Sequence, residues 1–178
     1  MIGSEEPWAE VQALRLGATH VTTVEFMPIV SEIPHHLGVT PQQVADLYVA
    51  SMQPGHQPNE TDRALFGLDF VISYSSLEHT GLGRYGDPLN PWGDIEAVRR
   101  VWCMLKSGGI FFLAVPTGAD TVMYNAHKVY GALRLPLLFE GFRVVDVLGH
   151  VPDLVTRNDS TWFDVFMGTH QPIWVLRK

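Results

Sequence analysis

The sequence predicts a single α/β domain over residues 1–178: a mostly parallel sheet, helices on both faces and one late antiparallel strand. Three observations carry this. Strand-like and helical stretches alternate along the chain, as units of strand, helix and strand require. "IFFLAVP", at 110–116, is apolar without a break, which suits a strand buried on both faces. The stretch before it, "GDIEAVRRVWCMLKSGG", places Ile95, Val98, Val101, Trp102 and Leu105 on one helical stripe.

The remaining elements follow in order. "PWAEVQALRLG" opens a first helix, with Pro7 in its first turn, Trp8, Val11 and Leu14 on one face, and Gly17 as a left-handed stop. "HVTTVEF" is β-rich and ends at Glu25. "TPQQVADLYVASM" begins with a capping box, Thr40 as cap and Gln43 three residues on. "QPGHQPNETDR", Gln53 to Arg63, reads as a surface loop, and "LDFVISY" as the next strand. Lys106 suits the last turn of the striped helix, which the glycine pair at 108 and 109 ends. "TVMYNAHKVYGALRL" has helical spacing until Pro136 stops it. "FRVVDVLG" and "PIWVLRK" close the sheet, the second as the antiparallel strand. The intervening "VPDLVTRNDSTWFDVFMGTHQ" reads as a loop or lid.

Bulk properties narrow the function classes. The apolar fraction is 46%, enough for one sizeable core. A net charge of −7 opposes non-specific nucleic-acid binding, which needs a basic surface. The single cysteine, Cys103, excludes an internal disulfide and a cysteine-rich zinc site. No apolar run is long enough to cross a bilayer, and "MIGSEEPWAE" lacks a secretion-signal layout. The expectation is a cytoplasmic protein with a small-molecule substrate and no membrane or nucleic-acid partner; its oligomeric state stays open.

The chemistry concentrates where strands end. Glu25 follows Gly3 at the distance used by an acid that bonds both hydroxyls of a ribose. Only one glycine of a dinucleotide fingerprint is present, and Glu5 and Glu6 at a helix start disfavour a phosphate. A phosphate-free cofactor such as S-adenosylmethionine fits better. After "LDFVISY" comes "SSLEHTGLGRYGDPLNPWGD", rich in glycine and polar groups.

"SYSSLEH", a helix closing in "MLKSGG" and then "IFFLAVP" resemble the second half of class I adenosylmethionine-dependent methyltransferases. "SSLEHTGLGRYGDPLNPWGD", "GSEEPW", "HVTTVEF", "NAHKVYGALRLPLLFEGF" and "VVDVLG" resemble the domain-of-unknown-function 268 family, from Ile2 to about Gly149. The resemblance implies a Rossmann-like class I methyltransferase fold binding S-adenosylmethionine through Gly3, Ser4, Glu5, Glu25, Phe26, Ser75 and Ser76. Related chains carry a full first strand before "IGSEEPW". Only Met1 and Ile2 precede Gly3 here, so that strand is expected to be cut short.

Methyl transfer to a hydroxyl benefits from a base, and His79 is the first candidate because histidine is the side chain type best suited to general-base work at neutral pH. Glu78 can orient it, Asp87 is a second candidate base, and His127 borders the same pocket on its expected helix. Arg84 and Tyr85, on the glycine-rich loop, are candidate substrate contacts. The expected acceptor is a small hydroxylated molecule such as a sugar. Each residue also has a plain structural reading: Glu25 as a solvated strand end, His79 as a turn cap, Asp87 as a loop staple, His127 as a packed side chain. A serine hydrolase is disfavoured because the glycine-x-serine-x-glycine elbow is absent. A metal enzyme is disfavoured because no histidine pair has zinc-helix spacing. The alternative outside catalysis is a methyltransferase-like binding or scaffolding module.

Overall fold

The computed structural model describes residues 1–4, 6–149 and 170–178. Its strands are β1 (Val21–Val24), β2 (His36–Val39), β3 (Leu68–Tyr74), β4 (Leu105–Ala114), β5 (Thr121–Met123), β6 (His127–Val129), β7 (Arg143–Leu148) and β8 (Ile173–Arg177). Its helices are α1 (Trp8–Arg15), α2 (Pro41–Ser51), α3 (Glu60–Leu65), α4 (Gly93–Met104) and α5 (Leu135–Leu138).

The main sheet has the order β3-β4-β8-β7, and β1 and β2 form a second pair. Ile2 joins the two, making parallel bridges to Val24 at the end of β1 and to Ser73 of β3. The architecture is mixed rather than mostly parallel. Among the described residues, β1–β2 and β3–β4 are parallel, and β4–β8, β7–β8 and β5–β6 are antiparallel. The closing strand β8 is antiparallel to both its neighbours.

One core dominates. Val98 and Val101 of α4 meet Phe111 and Leu113 of β4, Trp174 and Leu176 of β8, and Leu135 and Leu138. A smaller cluster of Val39, Val44, Leu65 and Met104 lies under β2, α2 and α3. The capping box at Thr40 forms with both bonds in place, and Pro41 opens α2.

Several local expectations are corrected. In α1 the buried residues are Ala9, Glu10 and Ala13, whereas Trp8 is exposed, its ring edge-on to Tyr74. The loop at Gln53–Arg63 contains the start of α3, which Asn59 caps in a box with Asp62. Helix α4 ends at Met104, and Lys106 already lies on β4, paired with Asp69 of β3. The pairing Leu68↔Leu105 extends that strand back past the glycines. The helix expected over "TVMYNAHKVYGALRL" is a hairpin, β5–β6, turned by Asn125 at φ 54°. Pro136 sits inside the first turn of α5, where a proline costs nothing, and does not stop a helix. The segment expected to be a lid lies outside the described residues except for His170 and Gln171.

Candidate active site

Ile2 runs parallel to both β1 and β3, so the carboxyl ends of these strands open on one rim. That rim is where ligands meet open α/β sheets. Glu25 leaves the end of β1, and Ser75 and Ser76 leave the end of β3. Residues Gly3, Glu25, Phe26, Ser76, Leu77 and Thr80 line a common cavity of about 90 Å³ between these ends and α4.

Glu25 shapes the β1 side of this cavity. One carboxylate oxygen accepts the Ser4 backbone N–H at 3.2 Å, the other the Phe26 N–H at 2.7 Å. It thereby ties the Gly3 turn to the end of β1 and leaves each oxygen a further lone pair. Gly3 is required twice over. Its φ is 64°, and a Cβ there would lie 1.9 Å from the Ser76 hydroxyl oxygen. The space beside its Cα is filled by Ser76, so the glycine lets the two strand-end turns pack against each other. Glu5 lies outside the described residues.

Across the rim, Ser75 takes up a left-handed conformation, φ 50°. Its hydroxyl donates to Glu78 Oε1 at 2.8 Å and accepts from Gln171 Nε2 at 3.1 Å. Leu77–His79 then forms one 3₁₀ turn. The Glu78 carboxyl is almost wholly buried, and its Oε2 has no partner among the described residues. Burial pushes its pKa up, against the smaller opposing pull of its own backbone N–H, Ser75 and His79.

His79 Nδ1 lies 2.5 Å from the Ala126 carbonyl. A carbonyl only accepts, so Nδ1 carries the proton and Nε2 holds the lone pair in the neutral ring. Nε2 is 3.8 Å from Glu78 Oε1. Two side chains stand against the same ring, Tyr85 edge-on at 5.8 Å and His127 edge-on at 6.4 Å, and Arg84 in turn lies over the Tyr85 ring at 5.7 Å. Arg84 also donates to the Asn125 carbonyl at 3.2 Å. His127 Nε2 is buried without a partner among the described residues, and burial holds the pKa of this ring down, helped by the charges of His79 and Arg84.

Asp87 stands apart from this group. Its two oxygens accept the N–H groups of Gly81, at 2.6 Å, and Tyr85, at 3.3 Å, inside the glycine-rich loop. Both are therefore engaged in closing that loop.

Beneath the loop lies a network that sequence reasoning missed. Asp94, fully buried in the first turn of α4, accepts from Tyr130 at 2.8 Å and from Arg134 at 2.6 and 3.0 Å; Lys128 Nζ is 3.4 Å away. Lys128 also donates to the Thr80 carbonyl at 2.6 Å. Burial works to raise the Asp94 pKa, but the bonds and charges of Arg134, Lys128 and Tyr130 outweigh it and hold it low. The network bolts the β5–β6 hairpin and the Leu77–Pro91 loop to one helix end. The only cue in sequence was the coincidence of one acid and two bases in stretches read as loop and helix.

Among the described residues no group of three or more His, Cys, Asp or Glu side chains could hold a metal ion. No helix among them is long and apolar enough to cross a membrane.

Residues 1–161 match the family described as "Caenorhabditis protein of unknown function, DUF268". No curated protein matches the chain. Among solved structures, the chain is similar to the Burkholderia thailandensis 1,6-didemethyltoxoflavin-N1-methyltransferase, solved with 1,6-didemethyltoxoflavin and S-adenosylhomocysteine bound. The TM-score is 0.55 and the identity 14%, over 99% of this chain and 68% of that one. At that identity the likeness establishes a methyltransferase-like α/β fold.

Proposed function

The chain belongs to the domain-of-unknown-function 268 family, and from that premise we propose that it is an S-adenosylmethionine-dependent methyltransferase acting on a small hydroxylated acceptor such as a sugar. The observation that carries the reading is the meeting of Gly3, Glu25, Phe26 and Ser76 in one cavity beside the Glu78–His79 corner. The likeness to an enzyme solved with S-adenosylhomocysteine and a small molecule points the same way.

Gly3, Ser4, Glu25, Phe26, Ser75 and Ser76 would hold the cofactor, with the Glu25 carboxylate turned to the ribose hydroxyls. Bound S-adenosylmethionine supplies a methyl group activated by its sulfonium. His79 Nε2 takes the proton of the acceptor hydroxyl, and the Glu78 carboxylate steadies the imidazolium that results. Arg84 and Tyr85, both exposed, orient the acceptor at the rim. In this reading the sheet is Rossmann-like and covered on both faces. Alternation along β1 supports that, since the Thr22 hydroxyl bonds Ala64 of α3 while the Thr23 hydroxyl bonds Glu10 of α1.

One observation favours a second reading, a non-catalytic binding module. The cavity of about 90 Å³ is smaller than the roughly 300–1,000 Å³ of ligand pockets. Catalysis requires the exposed Phe26 side of the cleft to open. Titration calorimetry with S-adenosylmethionine, with Glu25→Ala alongside, tests the proposal. A methyltransferase binds the cofactor and the variant loses that heat. Binding of acceptor-like sugars with no response to S-adenosylmethionine supports the module.

A further inference from the structure

Arg84 is fixed in place yet left with most of its donors unused. The loop that carries it is closed by Asp87, whose oxygens hold the N–H groups of Gly81 and Tyr85, and its base is held where Lys128 donates to the Thr80 carbonyl. From this loop the guanidinium reaches the tip of the β5–β6 hairpin. Its Nη1 donates to the Asn125 carbonyl at 3.2 Å, and its carbon lies 5.7 Å from the Tyr85 ring centre. A guanidinium has five N–H donors, so four remain. The next carbonyl of the same tip, that of Ala126, meets His79 Nδ1. The cation and the proposed base thus hang from successive residues, whose Cα atoms stand about 3.8 Å apart. A single small molecule can meet both.

The charges around this corner do not cancel. Among the described residues no carboxylate pairs with Arg84. Asp87 and Glu25 each spend both oxygens on backbone N–H groups. Glu78 is buried, with Oε1 on the Ser75 hydroxyl. Lys128 and Arg134 both face Asp94. Arg84 is therefore a cation without an anion, at the rim of the site, on a chain of net charge −7. His127 senses it, since the Arg84 charge helps to hold that ring's pKa down.

We propose that the acceptor carries a carboxylate beside its hydroxyl, a sugar acid rather than a neutral sugar, and that Arg84 selects it. The acceptor's fate rests on the methyltransferase reading; the carboxylate's seat does not. The planar fork of a guanidinium matches a carboxylate with two parallel hydrogen bonds. One uncompensated cation balances one negative charge, which favours a carboxylate over the nearly doubly charged phosphate of a sugar phosphate. With its carboxylate on Arg84, the acceptor turns its hydroxyl toward His79 Nε2.

The test compares D-glucuronate with its neutral isostere D-glucuronamide and with glucose 6-phosphate, by calorimetry on the whole chain with and without S-adenosylmethionine. We expect glucuronate to bind about tenfold or more tighter than glucuronamide, and Arg84→Gln to erase that preference. Arg84→Lys, which keeps the charge and loses the fork, should fall between. In NMR titrations the His127 imidazole pKa should rise on saturation with glucuronate, because the carboxylate offsets the Arg84 charge, and stay put with glucuronamide. Absence of glucuronate binding, equal binding of acid and amide, an unchanged preference in Arg84→Gln, or tighter binding of glucose 6-phosphate would overturn the proposal. Equal methyl transfer to acid and amide would overturn it while upholding the methyltransferase reading. Selective glucuronate binding with no heat from S-adenosylmethionine would support the seat and defeat that reading.

Discussion

The two sides of the sheet are built differently. Strands β3, β4, β8 and β7 share one continuous core in which Phe111, Leu113, Val101 and Leu176 are fully buried. Strands β1 and β2 are bridged to the main sheet by Ile2 and lean on the four-residue cluster around Leu65, against which Val24 and Leu68 also pack. The difference teaches where the site's rigidity comes from. The Glu78–His79 corner hangs from the dense side, where Lys128 of the Asp94 network holds the Thr80 carbonyl, and the Gly3 turn hangs from the sparse side, tied by Glu25.

The sharpest way to break this contrast is to strike the dense side's polar bolt. Asp94→Ala strands Arg134 and Lys128 without their shared anion. We expect a loss of roughly 3–5 kcal/mol in urea unfolding, the cost of breaking a buried ion pair. An apolar deletion tests the core itself: Leu113→Ala should cost about 2–5 kcal/mol and exceed Val44→Ala in the small cluster. Native-state hydrogen exchange should agree, with β1 and β2 amides opening at lower free energy than those of β4 and β8.

Next in size is the turn at Gly3. Gly3→Ala forces a Cβ onto Ser76 in a left-handed backbone, about 1–2 kcal/mol for the conformation alone. We expect lost cofactor binding with the β3–β4–β8 amides still protected. Ser76→Gly, which removes the side chain that Cβ meets, should restore part of the binding.

The pH dependence probes both sides. His36, between Thr23 and Ser31, and His127 each have a pKa held below the ordinary 6.5, first by burial. The folded chain therefore binds fewer protons than the unfolded chain in the window just below 6.5. Stability rises with pH through that window and is lost as pH falls. Glu78 has the opposite sign: its raised pKa removes stability as pH climbs above the ordinary carboxyl range. Urea midpoints from pH 5.5 to 7.5 should rise, and the slope should lessen in His127→Gln. At the small end, Arg99 and Glu140 pair while mostly exposed, so Arg99→Ala should shift stability by about 0.2–1 kcal/mol.

Elements set by one strong local signal were legible in the sequence. β4 carries the unbroken apolar run from Ile110, β3 and β8 are rich in apolar and aromatic residues, α4 has its stripe of Ile95, Val98 and Val101, and α2 has its capping box. The β5–β6 hairpin was not, because apolar residues at 122, 123, 126, 129 and 130 fit a helix until Asn125 turns the chain. β2 was missed because "HLGV" has no strand pattern of its own and pairs only because β1 lies beside it. At the site, Gly3, Glu25, Ser76, Glu78 and His79 were readable as residues at strand ends. Asp94, Lys128 and Arg134 were not, since their meeting depends on a hairpin folding back onto a helix some forty residues away.

The central claim is that the cleft between Gly3, Glu25 and Ser76 receives S-adenosylmethionine beside His79. Calorimetric titration of His79→Gln alongside the unaltered chain, with methyl-transfer turnover measured on both, tests it most directly. The account predicts equal cofactor heats for the two proteins and turnover reduced about 10²–10⁴-fold in the variant. No heat from the unaltered chain, or equal turnover in both, would contradict it.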